Sequence, residues 1–190
     1  MLSDMDSSEK NSQKVDAQIW MVLLGIILLF SGIVFFARHV NISRQNAQSR
    51  VPVIARYINY AYGVNLRYPS DWKPVGGQTY DRYEGSGGFF SVGASGTGSM
   101  TMDKVIVNEV DSPFKPYGTE PYTQTLTIDE QKAKLIMPSP DQDPSMHGQA
   151  VLVVEYPEPK VIGTQTYSFL ILWADRNNIQ DIASSLTFVR

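Results

Sequence analysis

Ala150–Tyr156 (AVLVVEY) and Thr166–Trp173 (TYSFLILW) are the two stretches on which the fold of this chain turns. Both are short apolar runs rich in β-branched and aromatic residues, the pattern of a strand rather than of an amphipathic helix. A strand apolar on both of its sides must be covered on both faces. These two are therefore expected at the centre of a sheet, with lesser strands outside them. Pro157–Thr164, which separates them, carries two prolines and a glycine and reads as a loop.

Working outward, Gly63–Tyr68 (GVNLRY) alternates, with Val64, Leu66 and Tyr68 on one side and Asn65 and Arg67 on the other. That is a half-buried strand. Tyr68-Pro69-Ser70-Asp71-Trp72 turns the chain, because proline presets the backbone and Ser and Asp bond nearby amides. Phe89–Ser95 and Met102–Val110 (MDKVIVNEV) are the next expected strands, and Tyr122–Ile128 with Gln131–Met137 reads as a hairpin about Asp129-Glu130. In Asp175–Leu186 the apolar residues Ile179, Ile182, Ala183 and Leu186 recur at helical spacing, with Asp175 as the expected N-cap. Thr187, Phe188 and Val189 make a last short strand. The class is α+β: a largely antiparallel sheet with a C-terminal covering helix.

Ahead of this body stands Ala17–Ala37 (AQIWMVLLGIILLFSGIVFFA), a run without charge. At 1.5 Å per residue it reaches roughly 30 Å as a helix, the thickness of a bilayer's hydrocarbon core. A signal peptide has a shorter core and a small-x-small site at its end; here Phe35 and Ala37 make a poor site, so an uncleaved transmembrane anchor is expected. The chain thus divides into a polar tail (1–16), a span (17–37), a basic linker (38–56) and a body (57–190). Within the span Gly25 and Gly32 lie on one face beside Ser31, a spacing that only weakly suggests helix pairing.

Charge bears on orientation and partners. The tail carries Lys10 and Lys14 against Asp4, Asp6, Glu9 and Asp16, whereas Arg38, Arg44, Arg50 and Arg56 follow the span with no acid among them. Counted literally, the positive-inside rule puts the body in the cytoplasm. Large domains translocate largely regardless of charge, and these arginines are spread along the linker, so an extracytoplasmic body remains the expectation. The four arginines are candidates for contact with anionic headgroups. From Tyr57 onward ten basic residues face fifteen acidic ones, which argues against a nucleic-acid partner. The absence of cysteine excludes disulfides, a thiolate nucleophile and lipoprotein processing, and suits a bacterial envelope protein.

Gly63, Tyr68, Pro69, Asp71 and Trp72 near the start, with Ile182, Ser185, Leu186 and Phe188 at the end, resemble the corresponding motifs of PsbP-like domains. Asp129, Gln131 and Ala133 fall where that family often has D-G-x-x-A, with Glu130 in place of the glycine. The resemblance implies an α/β/α sandwich about an antiparallel sheet, and a binding or assembly role without chemistry. Its motifs are structural, and Asp111–Pro121 holds three prolines where a covering helix would be expected.

Candidates for chemistry are few. The glycine-rich stretch Gly85–Ser99 lacks the lysine and following helix of a phosphate loop, so a hairpin is expected. Asp141, Asp143 and His147 could meet a divalent ion, but Pro144, Met146 and Leu152 break the EF-hand pattern; an ordinary exposed acidic loop is the preferred reading. His147 is the one histidine of the body and no G-x-S-x-G elbow accompanies it. No cofactor, metal or catalytic residue is assigned. Tyr57, Tyr60 and Tyr62, with Phe89 and Phe90, form the candidate partner-binding patch, since grouped tyrosines bring large contact area at low entropy cost. The expected partners are the lipid bilayer and another envelope protein or polymer. A structural subunit of a membrane complex, working through its span, is the alternative.

Overall fold

The computed structural model describes residues 53–76 and 81–189. The expected tail and span, Arg38, Arg44 and Arg50 lie outside the described residues. Among the described residues no helix is long and apolar enough to cross a membrane. Residues 52–190 form one compact unit.

Its main sheet has seven strands in the order β3-β4-β5-β9-β8-β7-β6, every pair antiparallel. These are β3 (Lys73–Pro74), β4 (Asp81–Gly85), β5 (Gly88–Thr97), β6 (Tyr122–Ile128), β7 (Gln131–Met137), β8 (Gln149–Ile162) and β9 (Gln165–Asp175). A three-stranded sheet joins β1 (Ile54–Asn59), β2 (Val64–Pro69) and β10 (Thr187–Phe188) in the order β1-β2-β10. Among the described residues two α-helices accompany the sheets, α1 (Met102–Val110) and α2 (Ile179–Ser184).

The two apolar runs are indeed central: β9 is the middle strand and β8 adjoins it. Strand alternation splits their side chains between two cores. Ala150, Leu152, Val154, Leu170, Leu172 and Ala174 face a larger core closed by Val64 and Leu66 of β2 and by Ile179, Ile182 and Ala183 of α2. Val151, Val153, Phe169 and Ile171 face a smaller core closed by Val105 of α1 and by Tyr117. The antiparallel sheet with a C-terminal covering helix is as expected from the residues, and the second helix, on the other face, gives the layering that only the resemblance implied.

Three expectations are corrected. Met102–Val110 is a helix, not a strand. Thr101 caps it by accepting from the Lys104 amide at 3.3 Å, and Met102, Val105, Ile106 and Val110 recur at helical spacing toward the core. This cap and period override the strand propensity of its valines and isoleucine. Pro157–Thr164 is not a loop, because β8 runs on to Ile162 and the chain reverses only after it, with Gly163 at φ 63°. The prolines sit exposed in the register shift between Glu155 and Lys160, where a missing N–H breaks no ladder. Asp175 does not cap the last helix: it ends β9, and Asn178 precedes α2.

The Tyr122–Met137 hairpin has the expected register, Ile128 opposite Gln131, and Asp129 and Glu130 both take positive φ. Strands β1, β3 and β4 are additions to the expected set.

Candidate functional site

Glycine sets the shape of a polar cleft of about 330 Å³ at one end of the main sheet, lined by Arg82, Glu84, Phe89, His147, Asp175 and Asn177. Gly87, at φ 92°, turns β4 into β5. Gly88 follows it against the Asp175 carboxylate, and a Cβ there would overlap that carboxylate. Asp175 is only 5% exposed. It accepts from the Phe89 amide at 3.2 Å, the Asn177 amide at 3.1 Å and Asn178 Nδ2 at 2.8 Å. Asn178 Nδ2 also donates to the Gly87 carbonyl. Arg82 donates from Nε to Glu84 at 3.1 Å, and its guanidinium lies 3.9 Å over the Phe89 ring. The charges of the cleft are thus largely bonded within the fold. Among the described residues no hydrogen bond couples His147 to a hydroxyl or carboxylate, as an activated nucleophile would require.

A second, more apolar groove of about 410 Å³ runs between the β6–β7 hairpin and α2, lined by Gln124, Leu126, Ile128, Leu135, Ala183 and Leu186 among others.

The acidic loop is built from local bonds. Asp141 accepts from Ser139 Oγ, from Thr119 Oγ1 at 2.5 Å and from the Thr119 amide at 3.2 Å. The Ser139 hydroxyl first, then Thr119, hold its carboxyl down at about 2. Asp143 accepts from the Ser145 amide at 2.8 Å and caps the 3-10 turn Pro144–Met146; the Ser145 bonds lower its pKa. Among the described residues no group of metal-ligating side chains gathers.

The aromatic patch disperses. Phe90 is fully buried, its ring stacked on Tyr83 at 5.0 Å and edge-on to Tyr57 at 5.4 Å. Tyr57 is buried as well and donates to Asp81 Oδ2 at 2.6 Å; burial, then the Asp81 carboxylate, raises its phenol far above the usual range. Phe89 lies beneath Arg82, and Tyr62 is half-buried against the larger core. Only Tyr60 of the five is broadly exposed, at 73%. The expected binding patch is therefore mostly core, because β1 turns Tyr57 inward and the Tyr83–Phe90 stack needs both rings.

Arg56 lies on β1, facing out from the small sheet, with Ile54 and Ile58 at the alternate positions. Sequence reading passed over these two and Arg67 as surface residues. The signal was present: Ile54-Ala55-Arg56-Tyr57-Ile58-Asn59 alternates in faces just as Gly63–Tyr68 does.

Geometrically, the body is an antiparallel sheet scaffold with a helix on each face. Of its buried polar side chains Asp175 and Ser139 are bonded into the framework, while Trp72 Nε1 and Tyr156 Oη have no hydrogen-bond partner among the described residues. No protein-family model and no curated protein matches the chain. Among solved structures it is similar to the solution structure of cyanobacterial PsbP (CyanoP) from Synechocystis sp. PCC 6803. That likeness has a TM-score of 0.42 at 13% identity, covering 74% of this chain and 95% of that one. It is a likeness of fold alone.

Proposed function

We propose that this chain is a single-pass membrane-anchored envelope protein whose extracytoplasmic body is a binding or assembly module without chemistry of its own. The observation that carries the reading is the uncharged run Ala17–Ala37, long enough to span as a helix. Support comes from the polar cleft, where Asp175, Arg82 and Glu84 are spent on the fold's own bonds. The partner is another envelope protein or polymer, beside the bilayer itself.

Alkaline carbonate extraction of membranes from expressing cells tests the anchor. The full chain is expected in the pellet and a chain beginning at Pro52 in the supernatant; a full chain released by carbonate would overturn the reading. The alternative, a structural subunit that works through its span, is favoured by Gly25, Ser31 and Gly32 on the apolar run. It is distinguished by Gly25→Leu and Gly32→Leu, which would break assembly under the alternative and leave a binding body unaffected.

A further inference from the structure

The outward face of the small sheet brings together what its strands keep apart in sequence. The register sets Arg56 directly opposite Arg67, Ile58 opposite Asn65, and Asn65 opposite Thr187. Tyr57, Leu66 and Val64 turn the other way, into the core. Like charges directly opposite on neighbouring strands destabilise a sheet. Neither arginine has an ion-pair partner among the described residues. Arg56 donates from Nε to Asn65 Oδ1 at 2.6 Å, which fixes the guanidinium across the face. No strand position on this face carries an acid, although acids outnumber bases in the body.

Apolar exposure concentrates on the same segment. Of the eight large hydrophobic residues that stand exposed among the described residues, four are Val53 (72%), Ile54 (52%), Ile58 (43%) and Tyr60 (73%). Ile54 and Ile58 flank Arg56 on the outward side, while Val53 and Tyr60 stand at the two ends of β1. Paired cations with apolar and tyrosyl side chains beside them match the chemistry of a membrane interface, where guanidinium meets phosphate and the apolar groups enter the headgroup boundary. An acidic protein surface would use the arginines but leave the isoleucines unexplained.

Chain length favours a lipid over any other anion. Residues 38–53 separate the apolar run from β1, and even fully extended they reach at most roughly 55 Å. β1 is the first described strand after the run and carries the face nearest in sequence to it.

We propose that the Ile54–Arg56–Ile58/Arg67 face docks the body flat on anionic phospholipid headgroups, a proposal that rests on the anchor reading above. Each arginine close to an anionic surface is worth about 5-fold in the docked-to-undocked ratio, so both together give roughly 30-fold. Docking weakens with salt, since the charges lie at the surface.

The lack of cysteine allows a direct test on the full chain. Ile58→Cys, labelled with an environment-sensitive fluorophore, is reconstituted into vesicles of phosphatidylcholine alone or with phosphatidylglycerol; Ser145→Cys carries the control label. The expected result is a blue shift at position 58 and quenching by headgroup-level nitroxide lipids, confined to phosphatidylglycerol vesicles. Arg56→Gln with Arg67→Gln lowers the docked ratio roughly 30-fold, and position 145 stays unchanged. Equal quenching in both vesicle types, indifference to the arginine pair, or a blue shift without nitroxide quenching would each overturn the lipid face while leaving the anchor standing. A chain that fails to float with vesicles of either composition refutes the anchor, and this face with it.

Discussion

Asp175→Ala tests whether one buried carboxylate holds the β4–β5 turn to the end of β9. The side chain, 5% exposed, accepts from the Phe89 amide, the Asn177 amide and Asn178 Nδ2. Phe89 is itself 4% exposed, so its amide has poor access to replacement water. A hydrogen bond to a charged group is worth about 1.5–3 kcal/mol, and an orphaned buried donor costs about 1–3 kcal/mol. The carboxylate's own desolvation offsets part of that sum. The net loss expected is about 3 kcal/mol, or roughly 150-fold in the folding constant. Urea unfolding of residues 52–190, followed by tryptophan fluorescence, measures it. Gly88→Ala adds a second arm, because its Cβ would overlap this carboxylate. Alone it is strongly destabilising. In the Asp175→Ala background the overlap with the carboxylate is gone and only the end of the Asn178 side chain, 2.7 Å from the new Cβ, has to move, so the cost falls well below that of the single variant. An Asp175→Ala loss below about 1 kcal/mol at unchanged m, or additive costs in the double variant, would refute the clamp.

Further outcomes follow from other parts of the body. Phe90→Ala, which removes the ring stacked on Tyr83, costs about 3–5 kcal/mol in the same assay, whereas Tyr60→Ala stays within about 0.5 kcal/mol. Glu130 sits at φ 67° in a two-residue hairpin turn; Glu130→Gly relieves that backbone and stabilises by about 1 kcal/mol. Asp141 has a folded pKa of about 2 against an ordinary 3.8. Depression of a carboxyl pKa contributes stability that is present above the unfolded value and lost as pH falls through the folded one. The Thr119 amide resonance therefore titrates with a midpoint of about 2, and Thr119→Ala moves the Asp141 midpoint up toward 3.8. The phenols of Tyr57, Tyr117 and Tyr156, raised chiefly by burial, stay neutral on alkaline titration until the body unfolds. Their raised pKa contributes stability present below the ordinary phenol range and lost only as pH climbs past it.

Much of the fold was legible where one physical signal dominated. Unbroken apolarity placed β8 and β9 at the centre, alternation found β2, and the turn at Asp129-Glu130 fixed the hairpin register. Glu130 occupies a left-handed position that glycine adopts without strain. Legibility failed where signals competed. In Met102–Val110 β-branched residues spoke for strand, while the Thr101 cap and the spacing of Val105, Ile106 and Val110 spoke for helix. Pro157 and Pro159 spoke for a loop, because pattern alone does not reveal a register shift that tolerates them. Asp175 looked like a cap by its position before Ile179. Its actual partner, the Phe89 amide, is 86 residues away in sequence, beyond the reach of any local pattern. The site suffered in the same way. Grouped tyrosines and phenylalanines carry no mark of which face they take, and Tyr57 and Phe90 went to the core. The opposed Arg56–Arg67 pair exists only once β1 and β2 are in register.

On the proposed reading the body stands outside the cytoplasm, held by one span. Single cysteines at Ser12, Ser86 and Ser145, in a chain with none of its own, report it directly in intact cells with a membrane-impermeant maleimide. Ser86 and Ser145 are exposed on the body, so both are open to the reagent on whichever side they lie. The expected result is labelling of Ser86→Cys and Ser145→Cys in intact cells, with Ser12→Cys labelled only after lysis. Labelling of Ser12→Cys alone would contradict it, and would place the body in the cytoplasm, where the arginines after the span count it.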